Sequence, residues 1–345
     1  MRSLKHQVWV AALALLAVVL VVSQAAGQSF PFDKGDVIRL VVPYNPGGGF
    51  DRIARIIQPF FAEALAKLSG GMEMAVIVEN RAGAGGRVGY EYVYNSAPDG
   101  TRMVVLGDQG AGLQQIGLKA KFDLEKFTYF AQVNNSEWGI LIRSNTGMNN
   151  MNDLIKRANE KPILVGTSGA GSGDHIASII VQAILARHNV KYPLQFVHFK
   201  GASPVFASMQ RDEAELYIGS VESTLPAVKE GYAKIIVVFA ERRSPFFPNV
   251  STAAEQGIPG ASELAASLGI TRVLVGPPGI PEPRVKVLRE ALKMALTDPK
   301  LLAAAEKAEL PVDYGDAAHA IRSVRGHTKG LAEFEDAVIK AIGGK

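Results

Sequence analysis

The chain contains no cysteine. Disulfides, thiolate metal sites and a cysteine nucleophile are therefore excluded, as is an anchor attached through a lipidated cysteine. No run of Lys or Arg interleaves with aromatics, so nucleic-acid binding has no support. Net charge is also scarce, at a formal +4, too little to dictate the charge of a partner. Residues His175, His188, His198, His319 and His327 are scattered without ligand spacing, so no metal site and no cofactor is expected. Beyond residue 27, no apolar segment reaches the roughly 20 residues that span a bilayer.

What is present begins with a leader. Arg2 and Lys5 form a basic start, Val8–Val22 is uninterrupted and apolar, and Ala25-Ala26-Gly27 offers small residues before Gln28. This is the pattern of a cleaved export signal. Residues 1–27 are expected to be removed, leaving a periplasmic protein with a charge of +2 (+4 less Arg2 and Lys5). The remaining length suits a large core and two domains.

The chain is organised around Leu40–Phe61. Leu40-Val41-Val42 reads as an interior strand closed by Pro43, and Pro46-Gly47-Gly48-Gly49 as a turn almost without side chains. Asp51 follows as a plausible N-cap, and Ile53, Ile56, Ile57 and Phe60 recur at helical spacing. Pro59 predicts a kink or an early end. The first N–H groups of a helix lack intrahelical partners and carry partial positive charge, so a glycine turn feeding them is a candidate anion site. It is not a P-loop, because no Lys-Ser or Lys-Thr follows, and GxGxxG spacing is missed.

The pattern recurs. A strand over 73–78 leads through Asn80–Gly86 into a helix over 88–95, and Met103–Leu106 is the next strand. Phe127–Val133 and Gly139–Ile142 are extended runs that could carry the chain between domains. Ile163–Val165 is followed by Gly166–Gly173, and Asp174-His175 open a helix with Ile176, Ile179, Ile180 and Ile184 on its apolar face. Strands are expected at 196–199, 216–219, 235–239 and 269–276, and helices at 284–296, 300–309 and 317–342, the last interrupted near Gly326. Alternating strands and helices indicate an α/β fold with parallel sheets. Two glycine turns aimed at helix N-termini suggest two domains facing a cleft at the carboxyl ends of strands.

These segments resemble the substrate-binding proteins of tripartite tricarboxylate transporters, the Bug or TctC-like receptors. The resemblance rests on VPYNPGGGFDRIAR, VENRAGAGGRVGYEYV, APDGTRMVVL, FTYFAQV, GTSGAGSGDHIAS, FKGASP, ERRSPFFPNVSTAAEQGIPG and VGPPGIPEPRVKVLREAL, in order through nearly all of the mature chain. It implies a type II periplasmic binding protein fold with two α/β lobes around a ligand cleft. Lobe 1 would comprise 28–133 and 270–345, and lobe 2 134–269. It implies a monomeric, non-catalytic receptor that delivers a small organic carboxylate to a membrane permease. The family's ligand loops fall on Tyr44–Asp51 and Gly166–His175.

The candidate ligand residues are Tyr44, Asn45, Gly48, Gly49, Phe50, Asp51, Trp138, Gly166, Ser168, Gly169, Ser172, His175, Lys200 and Gly201. Asp51 either orients ligand or caps the helix. His175 either contacts ligand or packs at the helix start. Ser172 donates or caps, and Lys200 attracts an anion or is solvated. Phe50 stands where the family has Ser or Thr, Thr271-Arg272 replace the usual aromatic, and Ser220 and Glu222 follow the strand at 216–219. With Trp138 near the cleft, these departures point to an aromatic or bulkier carboxylate. The competing reading is an exported serine hydrolase using Ser168, Asp174 and His175, although Gly166-Thr167-Ser168-Gly169-Ala170 fails the GxSxG pattern at its last position.

Overall fold

The computed structural model describes residues 30–342. The expected export signal and its cleavage point lie outside the described residues. Residues 30–33 belong to a separate leading unit, and the body from Lys34 onward carries every strand and helix that follows. Among the described residues, no helix is long and apolar enough to cross a membrane.

Branched side chains favour extended backbone, and Val37–Val42 forms β1, with Ile38 and Leu40–Val42 buried. Its C-terminal end enters α1 (Gly49–Leu68), which lays Ile53, Ile57, Phe61 and Leu65 against the core at intervals of four. Helix α1 does not end at Pro59. A proline inside a helix costs about 3 kcal/mol, and each fully buried large side chain returns about 1.5–3 kcal/mol. Phe61 and Leu65, both buried beyond Pro59, therefore suffice to keep the helix going. Strand β2 (Ala75–Asn80), helix α2 (Arg87–Tyr94) and strand β3 (Arg102–Gly107) follow, with β2 and β3 parallel to β1 on either side.

Helix α3 (Asp108–Gly117) starts where β3 ends, and its two internal glycines hide it from a periodicity reading. They are needed for close packing: a Cβ on Gly110 would sit 3.0 Å from the amide nitrogen of Gly173. The two extended runs expected near 130 and 140 are one strand, β4 (Thr128–Arg143). Helix α4 (Met151–Glu160) is capped by Asn150, which accepts from Asp153 N. Then come β5 (Ile163–Thr167), α5 (Gly173–Arg187), β6 (Leu194–His198), α6 (Ala202–Gln210), β7 (Leu216–Ser220), α7 (Val221–Lys229), β8 (Ala233–Phe239), α8 (Ala261–Ser267) and β9 (Gly269–Gly276). The chain closes with α9 (Glu282–Leu296), α10 (Pro299–Lys307), β10 (Gly315–Asp316), α11 (Ala317–Leu331) and α12 (Glu335–Ile342). Gly326 lies within α11, and the interruption falls instead at a 3-10 turn over Ala332–Phe334.

The strands join in the order β2-β1-β3-β9-β4-β7-β5-β6, with β8 and β10 also paired to β4. The first half of β4 pairs with β9, and Trp138–Ile142 pairs with β7, so Trp138 marks the changeover along one continuous strand. Parallel pairing joins β1 to β2 and β3, and β5 to β6 and β7. The C-terminal end of the chain shares a core with α5: Val338 of α12 and Phe334 of the preceding 3-10 turn cluster with Ile176 and Ile180. His327 on α11 pairs with Asp108, whose other oxygen accepts from Thr271 N of β9 at 3.0 Å. That contact ties α11, α3 and β9 together beside the changeover.

Candidate functional site

The carboxyl ends of β1, β5 and β7 converge on one cavity of about 50 Å³. A polar cavity of this size exceeds what a single water needs and can take a small organic group. Tyr44, Asn45, Gly48, Gly49, Phe50 and Asp51 line it from the β1–α1 connection, and Ser168, Gly173 and Asp174 from the β5–α5 connection. Trp138, Tyr217, Ser220, Ser223, Ile270, Arg272 and Ala202 complete the wall.

The glycine turn is held by its own carboxylate. Gly48, not Asp51, is the N-cap of α1, and Asp51 is the third residue of the helix. The correction is one of register. From there Asp51 Oδ2 reaches back to accept from Gly47 N at 2.9 Å, while Arg55 and Asn80 donate to the same carboxylate. Burial pushes the Asp51 carboxyl up, but the donations from Arg55, Gly47 and Asn80 outweigh it and hold it below the usual range. Asn80 also donates to Tyr44 O at 3.0 Å, which fixes the exit from β1. Gly47 adopts a positive φ of 92°, the conformation that calls for glycine at this turn.

The second loop is built the same way. Ser172 caps α5, accepting from His175 N. Asp174, 4% exposed, accepts from Ser168 N, His175 N and the hydroxyls of Ser168 and Ser172. Burial raises its pKa above the ordinary carboxylate value despite these donors. Among the described residues, Asp174 has no ion-pair partner.

Opposite lies Arg272, 2% exposed. Its Nη1 donates to Asn134 Oδ1 and Ser136 Oγ, and its Nη2 donates to Ser220 Oγ at 3.0 Å. Nη2 also lies 2.9 Å from Glu222 Oε1, an ion pair held by proximity, since neither Glu222 oxygen receives an aligned hydrogen bond. The guanidinium sits 4.8 Å above the ring of Phe50, whose edge contacts Tyr44. Phe50 thus faces the cavity but is already stacked by protein groups.

Several expected ligand residues do not line the cavity. Gly166 faces α6, where a Cβ would come within 2.5 Å of Val205 Cγ1. Gly169 abuts the turn at Gly85, where a Cβ would meet Gly85 N at 2.7 Å, so its role is the junction of two loops. Ser172 serves as cap and as a donor to Asp174. His175 is buried behind the loop against Phe196 and His198, its Nδ1 accepting from Gly171 N at 3.1 Å. Burial, with His198 beside it, pushes its pKa down to about 4. The Lys200 side chain is exposed, and its carbonyl accepts from Asn45 N at 2.8 Å. Gly201, at φ 142°, lets these two loops meet. Conversely, Arg272, Asp174, Tyr217, Ser220 and Ser223 line the cavity without having been placed among the ligand residues. The available signals were separate: Arg272 inside the apolar run at 269–276, and Ser220 and Glu222 after the strand at 216–219.

Residues 53–343 match the tripartite tricarboxylate transporter family receptor. The chain belongs to that receptor family. It is 25% identical over 290 residues to a UPF0065 protein of Bordetella pertussis, covering 83% of this chain and 84% of the relative. It is 23% identical to BugT of the same organism, covering 71% and 74%. The periplasmic binding protein BugD superposes with a TM-score of 0.76 at 22% identity, over 88% of this chain and 98% of that one. MatC from Rhodopseudomonas palustris, solved with bound malate, superposes at 0.74 and 24% identity, over 88% and 98%. The fold of this receptor is therefore the type II periplasmic binding fold, two α/β lobes around a ligand cleft.

Proposed function

We propose that this receptor is exported and captures a short organic carboxylate between two lobes, 28–133 with 270–345 and 134–269. The monomer then presents its cargo to a membrane permease. The observation that carries this reading is the cavity itself. The N-terminus of α1 and the guanidinium of Arg272 face it, and each favours an anionic group. Tyr44, Asn45, Gly48, Gly49, Phe50, Asp51, Trp138 and Ser168 would form the contact surface, with Arg272 and Ser220 added. The relation to proteins such as MatC, solved with malate, supports the carboxylate class. The Ser168 hydroxyl donates to Asp174 and His175 Nδ1 accepts from Gly171 N, an arrangement that favours the receptor over the serine hydrolase.

A ligand that binds only the folded protein raises its melting temperature by mass action. Melting is to be followed against mono-, di- and aminocarboxylates of two to six carbons at millimolar concentration, with titration calorimetry on each responder. At least one should stabilise saturably with one site. A panel without any response would overturn the receptor reading.

A further inference from the structure

The cavity carries more acid than base. Arg55 accompanies Asp51 and Arg272 accompanies Glu222, but Asp174 has no cation beside it among the described residues. The loop that would offer its backbone N–H and hydroxyl groups to a ligand carboxylate has these already taken. Ser168 N, Ser168 Oγ, Ser172 Oγ and His175 N all point at Asp174. A second carboxylate at this place would meet a buried carboxylate with no donor between them, and like charges so close repel strongly in a low-dielectric site. Across the cavity the situation reverses. Arg272 Nε and Trp138 Nε1 are buried donors without partners, and both residues line the same space. Burial raises the pKa of the Tyr217 hydroxyl most, Asp174 adds to the rise, and Arg272 opposes it.

Resting on the receptor reading above, we infer that the ligand is a short zwitterion. Its carboxylate is held by Arg272 and Trp138, its ammonium is held by Asp174, and a diacid is rejected. An ammonium supplies the missing positive charge and three N–H donors, and a carboxylate accepts from the free guanidinium and indole N–H groups. The small cavity favours a short spacer of one or two carbons.

The test compares matched pairs differing only in ammonium against hydroxyl: glycine with glycolate, L-alanine with L-lactate, and β-alanine with 3-hydroxypropionate, alongside malonate, succinate and malate. Titration calorimetry on the wild-type protein should show the amino member of at least one pair binding about tenfold or more tightly than its hydroxy partner, as loss of a buried charge pair demands. The diacids should bind more weakly still. Asp174→Asn should narrow that ratio to about threefold or less, with Asp174→Ser as a second variant should the first melt without cooperativity. Tighter wild-type binding of hydroxy acids or diacids would overturn the zwitterion and leave the carboxylate receptor standing. Full retention of the amino preference in either folded variant would overturn the role of Asp174. Binding of no member of this panel would overturn the zwitterion, and the receptor reading would then stand or fall on the wider two-to-six-carbon panel. Should neither variant fold, the wild-type ratios decide alone.

Discussion

Replacing Arg272 with methionine should destabilise the protein more than replacing Arg272 and Glu222 together. Arg272 is buried, and Glu222 is fully buried, 2.9 Å from the guanidinium. Methionine removes the one cation that lies at ion-pair distance from the Glu222 carboxylate among the described residues, and leaves that carboxylate buried without it. Breaking such a pair from one side costs about 3–5 kcal/mol. Other losses are smaller. Asn134 and Ser136 retain a mutual hydrogen bond of 3.3 Å, and Ser220 borders the cavity. The cation over the Phe50 ring contributes about 1–2 kcal/mol at a desolvated site. Against a total stability of about 5–15 kcal/mol for a folded domain, the single change removes a large part. In the pair Arg272→Met with Glu222→Leu no charge is stranded, and most of the loss should be recovered, leaving about 1–2 kcal/mol. Urea unfolding of wild type, both single variants and the double variant gives the coupling directly. An Arg272→Met protein as stable as wild type, or a double variant no better than Arg272→Met, would refute the pair as described.

Three further outcomes can be checked. His175 is held near pKa 4 against an ordinary 6.5, so the unfolded chain takes up a proton that the folded one does not; stability is full above pH 6.5 and falls toward pH 4, by about 3 kcal/mol in all, and His175→Gln should flatten that part of the pH–stability curve. Gly85→Val should abolish ligand-induced stabilisation, because φ is +64° and a Cβ would overlap Ser172 N and lie 2.7 Å from Ala170 O, whereas Gly48→Ala, whose nearest protein neighbour would be Ala202 Cβ at 3.7 Å, should keep the melting temperature of the free protein while weakening the ligand response. Chromogenic short-chain esters should show no turnover above background with either wild type or Ser168→Ala; turnover lost on that substitution would revive the hydrolase.

The alternation of strand and helix was legible because its causes are local. Val37–Val42, Arg102–Gly107 and Gly269–Gly276 are short apolar runs bounded by turns, and α1, α5 and α9 carry apolar residues at helical spacing. Helix α3 was not legible, because its sequence holds glycines whose purpose, contact with Gly173, is visible only in three dimensions. Strand β4 read as two pieces because Asn134, Asn135 and Ser136 break the apolar run. Those polar residues serve the buried Arg272 and Thr271 rather than ending the strand.

The same division explains the site. Residues of the first glycine loop fell where expected because a loop and the helix it feeds are contiguous, so one segment of sequence contains the whole arrangement. Arg272 and Glu222 are fifty residues apart and belong to different strands and helices; sequence order does not bring them together, and each alone reads as a surface charge. Asp174 was visible as a helix-opening residue, but its effect depends on a count of donors and charges around it. That count can be made only when Ser168, Ser172 and the missing cation are located together. Glycine turns thus mark where a ligand is received, and the charges carried to that place from distant parts of the chain decide which ligand. In this receptor they favour one that brings its own positive charge.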